Sequence, residues 1–375
     1  MTAVVGVIAG MLLMHELGHY VTARAVGMKV TDFYLGFGPR LWGFRRGETS
    51  YGLRVLPLGA YVRIIGMSRD DVVEPGDEHR AFRVKSYPRR VLVLCAGSIM
   101  HFVLGFVAFG ITHAALGAPV VDSEQWRVSG VLVGTGGVVW PAHAAGIEVG
   151  DRIVAVAGTN TEDLDDFLSQ IRSRPGERVV LTVERNDDLL SLDATVATDP
   201  ETSSGLLGVN VQSVVAYETV GLPTAAVRAL ADVGRAVPNT AIALWSLFAN
   251  FGELVDRVLS PPGDPTANED LSTRPLGIYG FGQLLSHSSI EWSNRVAFFG
   301  FANIFIGVFN LLPLPPLDGG HLAVATYERW RERGGRGRYL SDPRKLAPVA
   351  TFVAVFLILL AVGLLYLDIA NPIDL

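Results

Sequence analysis

Four long apolar runs constrain what this chain of 375 residues can fold into. They occupy approximately residues 3–24, 90–117, 294–318 and 346–367, and each is long enough for the roughly 20 helical residues that cross a hydrocarbon core. Only 18% of the residues are charged, which is below the roughly 25% of an ordinary soluble domain. The sequence therefore predicts a multi-pass α-helical membrane protein with four transmembrane helices.

Two of the runs carry polar residues where a helix facing lipid has none. The first contains His15, Glu16 and His19, and it lacks the basic start and the small-residue cleavage site of a secretory signal peptide. The third ends at Asn310, several prolines and Asp318. Polar side chains and irregular backbone at membrane depth indicate a site that is buried in protein or lined by water.

The three connections between the runs differ in charge. Lysine and arginine outnumber aspartate and glutamate by 13 to 7 in residues 24–90 and by 7 to 3 in residues 321–345, whereas residues 118–295 have 11 against 23. By the positive-inside tendency the two basic connections face the cytoplasm, and the acidic connection and both termini face outside. The net charge of −6 argues against a nucleic-acid partner, because such a partner needs a basic surface. The arginines of residues 329–338 are instead expected to meet anionic lipid.

Glycines among aromatic and β-branched residues predict short strands with tight turns directly after the first helix. The acidic connection begins with an α/β module and continues with amphipathic helices and a flexible linker at residues 260–275. In chain order the prediction gives a first helix at 1–26, a membrane-associated β-hairpin sheet on the cytoplasmic side at 27–88, a second helix at 89–117, an inserted extracytoplasmic domain at 120–215, amphipathic helices and linker at 216–293, a third helix at 294–320, a basic cytoplasmic loop at 321–345 and a fourth helix at 346–368.

The first run contains the pattern H-E-x-x-H at residues 15–19. A spacing of four places His15 and His19 on one helical face, one turn apart, where they can share a zinc ion with Glu16 beside them as general base. A third ligand is needed, and Asp318 lies at a comparable depth because the first and third helices run in the same direction. The single cysteine, Cys95, excludes a Cys-rich metal site. The alternative is a packed polar cluster, or an interfacial helix with its histidines in water.

Two motifs together carry a resemblance to a known family. The first is the H-E-x-x-H pattern, and the second fits the pattern N..P.P.LDG with Asn310-Leu311-Leu312-Pro313-Leu314-Pro315-Pro316-Leu317-Asp318-Gly319-Gly320. With these motifs the chain resembles the site-2 proteases, the intramembrane zinc metalloproteases of family M50, in their actinobacterial PDZ-containing form. The resemblance implies one Zn²⁺ per chain. It also implies a set of site residues: His15, His19 and Asp318 as zinc ligands, Glu16 as general base, Asn310, Pro313 and Pro315 as substrate contacts, and Gly59, Ala60, Tyr61 and Val62 in a hairpin edge that holds an unwound substrate segment.

Residues 120–215 resemble a PDZ domain. The signature PA..AGI..GD.I..V.G is matched from Pro141 to Gly158, and a helix and the turn at Pro175-Gly176 follow it. A PDZ domain binds an extended peptide as an added strand, so peptide ends or outer domains of substrates are expected here. The family resemblance implies single-pass membrane substrates such as anti-sigma factors and an upstream site-1 protease that cuts them first. It also implies a plasma-membrane location with the active site toward the cytoplasm and the PDZ domain outside.

Two other classes of protein remain open from the sequence. One is a PDZ-bearing membrane scaffold without catalysis, and the other is a transporter that relays protons through the buried His, Glu and Asp set, although inverted-repeat symmetry is absent. His101 and His113 lie in or near the second helix without a partner at metal-ligand spacing, which favours structural roles. We interpret His321 as a residue that contacts the metal ligands or as a helix-end contact, His143 as a surface residue and Asp151 as a turn residue.

Overall fold

The computed structural model describes residues 2–67, 71–133, 140–200, 202–259, 277–286, 290–333 and 339–370. The chain divides into two units, the first formed by Met1–Leu116 with Thr219–Leu375 and the second by the inserted segment Gly117–Glu218. The predicted linker at residues 260–275, together with Arg336 and Arg338 of the basic run, lies outside the described residues.

Helices dominate the first unit, and strands dominate the inserted unit. The helices are α1 (Thr2–Ala25), α2 (Tyr87–Ile111, continued by a π-helical turn at Thr112–Leu116), α3 (Pro141–Ala145), α4 (Leu164–Arg172), α5 (Leu222–Ala249), α6 (Phe251–Leu259), α7 (Ile278–Ser286), α8 (Trp292–Asn310), α9 (Asp318–Glu332) and α10 (Pro343–Ala370). The strands are β1 (Val30–Arg46), β2 (Thr49–Ile64), β3 (Ala118–Val131), β4 (Arg152–Val156), β5 (Thr159–Asn160), β6 (Arg178–Arg185), β7 (Asp188–Thr195), β8 (Ala197–Thr198), β9 (Gly205–Leu206) and β10 (Val209–Glu218).

The prediction of four transmembrane helices is wrong. Among the described residues, two helical segments are long and apolar enough to cross a membrane, Tyr87–Leu116 and Lys345–Ala370, and several small sheets accompany the helices. The helices α1 and α8 fall short because of their polar content. His15, Glu16 and His19 interrupt the second half of α1, and α8 has only 19 residues and begins with the polar run 293–295. The four apolar runs in the sequence thus correspond to two candidate spans among the described residues.

The hairpin of β1 and β2 is bent so that each strand contributes two segments to one sheet. Asp32 pairs with both Ser50 and Arg63, which places the first half of β1 between the start and the end of β2. The order across the sheet is 40–46, 49–54, 30–37 and 60–64. Gly36 lies in the bend of β1 with φ +88, and a Cβ there would lie 2.5 Å from the carbonyl oxygen of Leu56. Among the described residues, segment 60–64 thus forms one edge of the sheet.

A shared apolar core fixes this sheet against the helices. The hydroxyl of Thr49 donates to the carbonyl of Val30 at 2.8 Å, and a buried ion pair between Arg90 and Glu328 fastens α9 to the start of α2. The buried side chains of this core come from α1, the hairpin, the segments that join the hairpin to α1 and α2, the start of α2, and α9: Ala23, Met28, Val30, Ile64, Phe82, Val93, Leu94 and Ala325. The start of α9 is thereby held near α1, although some 300 residues separate them in the sequence.

Small residues let α2 and α8 approach closely. A Cβ on Gly105 would lie 2.7 Å from the Cδ1 of Ile304, and a Cβ on Gly300 would lie 2.7 Å from the Phe109 ring. Both Ile304 and Phe109 are buried, and Ala229 of α5 joins the same apolar cluster. Dispersion contacts at such short separation fix the register of the two helices, which matters for the polar residues that they carry.

The inserted unit has its own core. A four-stranded antiparallel sheet in the order β5-β4-β6-β7 and a long ladder of β3 with β10 supply most of its apolar side chains. Trp126 is fully buried and stacks on Phe167 of α4 with ring centroids 4.5 Å apart. Asp163 caps α4 by accepting a hydrogen bond from the backbone N–H of Asp166 at 2.8 Å.

The turn residue Asp151 is a buried carboxylate, only 1% exposed. Its oxygens accept hydrogen bonds from Nε and Nη2 of Arg185, both at 2.7 Å, and from the backbone N–H of Glu148 at 2.8 Å. Burial by itself would raise the pKa of Asp151, but these donors and the Arg185 charge outweigh it and hold the pKa below the ordinary value.

We expect the stability of the inserted unit to depend on the charge of Asp151. A depressed carboxyl pKa adds stability above the ordinary value of about 3.9, and this stability is lost as the pH falls through the lower folded-state pKa. At neutral pH, Asp151→Asn should cost about 1.5–3 kcal/mol, because it removes a charged acceptor. Hydrogen exchange of β6 peptides in the full chain, corrected for intrinsic rates, measures both effects. Equal protection of β6 in Asp151→Asn and wild type at pH 7 would contradict this expectation.

Candidate metal centre

Two histidines on one face of α1 begin the site. His15 and His19 are four residues apart, and their Nε2 atoms lie 3.2 Å from each other. Both residues are buried, with exposed fractions of 8% and 7%. The Nδ1 of His19 lies 2.7 Å from the carbonyl oxygen of Val93, which can only accept, so Nδ1 carries the hydrogen. A neutral His19 therefore directs the lone pair of Nε2 toward His15.

A carboxylate from the other end of the chain completes the cluster. Asp318 is the first residue of α9, and its Oδ2 lies 3.2 Å from the Nε2 of His15 and 3.2 Å from the Nε2 of His19. Burial alone would raise the pKa of Asp318, but with no metal ion bound, hydrogen bonds and positive charge from protonated His15 and His19 outweigh it and hold the pKa below its usual range. The side chain is therefore ionised and can act as a ligand.

The three converging atoms fit a metal ion. Two imidazole lone pairs and a carboxylate oxygen repel one another at 3.2 Å unless a cation lies among them. Ligands held at about 2.0–2.1 Å from one tetrahedral zinc ion lie about 3.3 Å apart, close to these separations. His15, His19 and Asp318 form the group of potential metal ligands found among the described residues. Two histidines and one carboxylate match a catalytic zinc site that leaves the fourth position open.

Glu16 lies beside this group, next to the edge of the hairpin sheet. It is half-buried, and the charges that act on its carboxylate come from His19, His15 and Asp318. The backbone N–H of Val62, in edge segment 60–64, faces the same carboxylate. The structure thus brings a free strand edge and an acidic side chain together beside the three ligand atoms.

Two glycines permit the close contact of α1 with α2 at this point. A Cβ on Gly18 would lie 2.5 Å from the carbonyl oxygen of Ala96, and a Cβ on Gly97 would lie 2.3 Å from the Cε1 of His15. Both separations are too short for any side chain larger than hydrogen. The ring of His15 is consequently held against the backbone of α2.

Comparison with known proteins identifies the family. The sequence profile of peptidase family M50 matches residues 3–360. The chain belongs to peptidase family M50. It is 32% identical over an alignment of 406 positions to zinc metalloprotease Rip1 of Mycolicibacterium smegmatis, with 96% of this chain and 95% of the relative covered. It is 31% identical to zinc metalloprotease Rip1 of Mycobacterium tuberculosis, with 96% and 95% covered. The PDZ domain of an SdrC-like protein from Listeria monocytogenes matches 24% of this chain and 92% of that domain, at 17% identity and a TM-score of 0.21.

Membership of this family confirms the prediction of a zinc metalloprotease with a zinc cofactor. It favours an enzyme over the non-catalytic scaffold and over the transporter. Proteases of family M50 are membrane proteins, and the part of this peptidase that the structure describes has two candidate spans, Tyr87–Leu116 and Lys345–Ala370.

We expect a side chain at position 97 to disrupt the metal centre. A Cβ at Gly97 overlaps three atoms of the His15 ring at 2.3–2.6 Å, so Gly97→Val must rotate that ring or push α1 away from α2. Zinc content measured by atomic emission should fall well below one ion per chain. Gly110→Val provides the control, because a Cβ at Gly110 of the same helix meets nothing within 4 Å. Full zinc occupancy in Gly97→Val would contradict the contact.

The remaining residues expected to contact substrate lie near the connection of α8 to α9 and in the hairpin. Asn310 is half-buried at the last position of α8, Pro313 is exposed and Pro315 is half-buried. A Cβ on Gly320 would lie 2.5 Å from the backbone nitrogen of Pro315, so the first turn of α9 packs directly on this connection. In the hairpin, the hydroxyl of Tyr61 accepts a hydrogen bond from Arg54 at 2.7 Å. Gly59, Ala60 and Tyr61 belong to β2, as Val62 does. The part that all these residues play in binding substrate stays a prediction.

Two histidines that have no partner at metal-ligand spacing in the sequence have hydrogen-bonding partners in the structure. The Nδ1 of His101 lies 2.9 Å from the Oδ1 of Asn303, and the Nε2 of His113 lies 2.7 Å from the Oδ2 of Asp232. His101 also lies beside His15, with ring centroids 5.2 Å apart. A signal for this position exists in the sequence, because His101 follows Gly97 by four residues on the same helical face. The partner on α8 is 202 residues away and could not be identified by spacing.

Proposed function

We propose that this peptidase is an intramembrane endopeptidase that hydrolyses peptide bonds in the transmembrane segments of membrane proteins. His15, His19 and Asp318 hold the zinc ion, and Glu16 is the general base. The observation that carries the proposal is the convergence of three ligand atoms within 3.2 Å of one another, beside Glu16 and an open strand edge.

The residues of the site divide the work of amide hydrolysis. A bound zinc ion polarises the substrate carbonyl and lowers the pKa of a coordinated water to about 7. The carboxylate of Glu16 accepts a proton from the attacking water as the new C–O bond forms. It then delivers this proton to the nitrogen of the leaving amine as the C–N bond breaks. Glu16 directly follows the ligand His15, so its carboxylate is held beside the reacting atoms.

The hairpin edge meets a second need of such a reaction. A transmembrane substrate helix hides its carbonyl groups in internal hydrogen bonds, so it must unwind locally before attack. Segment 60–64 pairs with β1 on one side, and its other side offers backbone groups that can pair with the unwound segment. The N–H of Val62 that faces Glu16 marks where this pairing approaches the site. We propose that residues 59–62 hold the substrate in extended form, and that Asn310, Pro313 and Pro315 shape the opposite side.

Removing the N–H at position 62 tests this role of the edge. Val62→Pro should preserve the sheet, because proline is tolerated at sheet edges. Since the N–H that it removes faces Glu16, we expect cleavage of a transmembrane peptide to fall at least tenfold. Zinc content should stay at one ion per chain. Val62→Ala keeps the N–H and provides the matched control. Equal cleavage by Val62→Pro, Val62→Ala and wild type would show that the N–H of this strand edge has no role in cleavage.

The orientation we propose places the active site toward the cytoplasm. The basic connection 24–90 leads to the start of α2. The Arg90–Glu328 pair holds α9 at the same end of α2, and α9 contains the first part of the basic connection 321–345. His15 contacts Gly97, ten residues into α2 and so about 15 Å along its axis. The far part of the hairpin exposes large apolar side chains, among them Leu41 and Trp42 at 62% each, which suits contact with the membrane surface. The inserted unit follows the other end of α2, and we propose that it lies outside the cytoplasm.

Substrate selection is the part of the proposal that involves the inserted unit. The signature from Pro141 to Gly158 supports peptide binding of the PDZ kind, in which a substrate end adds as a strand. We propose single-pass substrates such as anti-sigma factors, trimmed first by an upstream site-1 protease. The inserted unit would bind the new peptide end or bar substrates that still carry large outer domains.

Cleavage of a model transmembrane peptide tests the proposed function. The full chain, purified in detergent and loaded with zinc, should cut the peptide within its apolar segment, as located by mass spectrometry. A zinc chelator should abolish cutting, and added zinc should restore it. A folded, zinc-loaded protein that cuts soluble unstructured peptides and spares every transmembrane peptide would overturn the intramembrane assignment.

A further inference from the structure

His101 of α2 is a fully buried histidine next to the metal centre that the proposed mechanism does not use. Its ring centroid lies 5.2 Å from that of His15, with the ring planes inclined by 41°. Two nitrogens at this contact, Nδ1 of His15 and Nε2 of His101, are buried and have no hydrogen-bond partner among the described residues. An orphaned ring nitrogen in an apolar helix interface is costly, so two of them side by side need a joint explanation.

The tautomer of His101 follows from its second nitrogen. The Nδ2 of Asn303 lies 2.8 Å from the carbonyl oxygen of Phe299, which only accepts, so this amide end must be the NH₂ group. The amide oxygen of Asn303 therefore faces the Nδ1 of His101 at 2.9 Å, and that nitrogen must donate. A neutral His101 consequently carries its free lone pair on Nε2.

The tautomer of His15 is the complement. If the Nε2 of His15 ligates the metal, its Nδ1 carries the hydrogen and must donate. The two nitrogens do not form a hydrogen bond in this structure, but ring nitrogens lie about 1.1–1.2 Å from the ring centroid. Turning them toward each other at the observed centroid separation of 5.2 Å would bring them to about 2.9 Å, a normal hydrogen-bond distance. Metal-bound histidines almost always donate their other N–H to such an acceptor, which fixes the ring and its tautomer.

We propose that Asn303 and His101 form a relay that positions His15, with His101 accepting the Nδ1–H hydrogen bond of His15 while Nε2 faces the zinc ion. This inference rests on the proposed assignment of His15 as a zinc ligand. Close packing of α2 on α8 supports it. The backbone of Gly307 lies so near His101 that an added Cβ would come within 3.2 Å of the His101 Cβ, and this packing leaves the His101 side chain little freedom. His101 and Asn303 act through His15, so they are positioning residues.

The test uses the full chain in detergent and measures zinc affinity by competition with a chelator. His101→Asn keeps a donor for Asn303 but has no acceptor that reaches His15, and it should weaken zinc binding 10–100-fold. His101→Gln restores an acceptor at the distal position and should recover part of that loss. Ser98→Ala, which removes another buried polar atom from α2, is the control and should bind zinc like wild type.

The visible absorption of the Co²⁺-substituted protein provides a second readout that does not depend on activity. Its d–d bands should shift in His101→Asn and return toward wild type in His101→Gln. Wild-type zinc affinity together with wild-type Co²⁺ bands in His101→Asn would overturn the relay. If His101→Asn does not fold, Asn303→Ser decides in its place, because a raised zinc dissociation constant supports the relay and an unchanged one overturns it. A wild-type chain without zinc would instead overturn the metal assignment itself.

Discussion

Glu16→Gln is expected to abolish peptide-bond cleavage while one zinc ion stays bound. The amide of glutamine has nearly the shape of the carboxylate but cannot accept a proton from water or return it to the leaving nitrogen. General-base catalysis contributes typically about 10²–10⁴-fold, so cleavage of the transmembrane peptide should fall by at least 10²-fold. The three ligand atoms belong to His15, His19 and Asp318, so zinc occupancy should not change. Cleavage is measured by mass spectrometry and zinc by atomic emission on the same preparation.

Occupancy and activity together separate a role in catalysis from a role in binding the metal. Glu16→Asp keeps the acid but shortens its reach, and we expect activity between that of glutamine and that of wild type. Cleavage at the wild-type rate by zinc-loaded Glu16→Gln would show that another group moves the proton. Loss of zinc from Glu16→Gln would show instead that the carboxylate belongs to the metal site.

Asp318→Asn is expected to remove zinc and with it all cleavage. The substitution keeps the size of the side chain but removes the negative charge that balances a divalent ion, and it leaves two neutral imidazoles as ligands. Loss of an outer hydrogen-bond partner already weakens metal binding about 10–100-fold, and loss of a charged ligand should weaken it more. The zinc dissociation constant measured by chelator competition, and residual cleavage in excess zinc, report the two effects.

Two further variants make the Asp318 experiment specific. Asp318→Glu keeps a carboxylate and should retain part of the zinc affinity. Arg329→Ala changes an exposed charge on the same helix, and we expect it to bind zinc like wild type. Stoichiometric zinc with wild-type affinity in Asp318→Asn would show that the third ligand is another residue.

The two motifs show which of the zinc ligands could be predicted from spacing in the sequence. His15 and His19 share a helical face because an α-helix repeats every 3.6 residues, so the ligand pair follows from spacing alone. Asp318 was proposed as the third ligand by its depth along an assumed third span, and the corresponding helix α8 is not among the candidate spans of the described residues. The carboxylate reaches the histidines because α9 packs on α2 through Arg90 and Glu328.

For the hairpin, too, the sequence predicted one part and only the structure showed the rest. Glycines among aromatic residues predicted a small sheet after the first helix, and strands β1 and β2 lie there. The sequence did not predict that β1 pairs twice, which makes 60–64 an edge and brings Val62 to Glu16. Register depends on which faces pack against α1, and strand alternation does not specify that packing.

By itself, the sequence determined the family, the zinc chemistry and the paired histidines, since these depend on local spacing and on motifs read along one segment. Only the tertiary structure decided the edge position of segment 60–64 and the approach of Asp318 to α1. It also decided the contacts of His101 with His15 and with Asn303. Each of these depends on contacts between segments that are separate in the sequence, and such packing is set by shape and close approach, as at Gly97, rather than by any repeat in the chain.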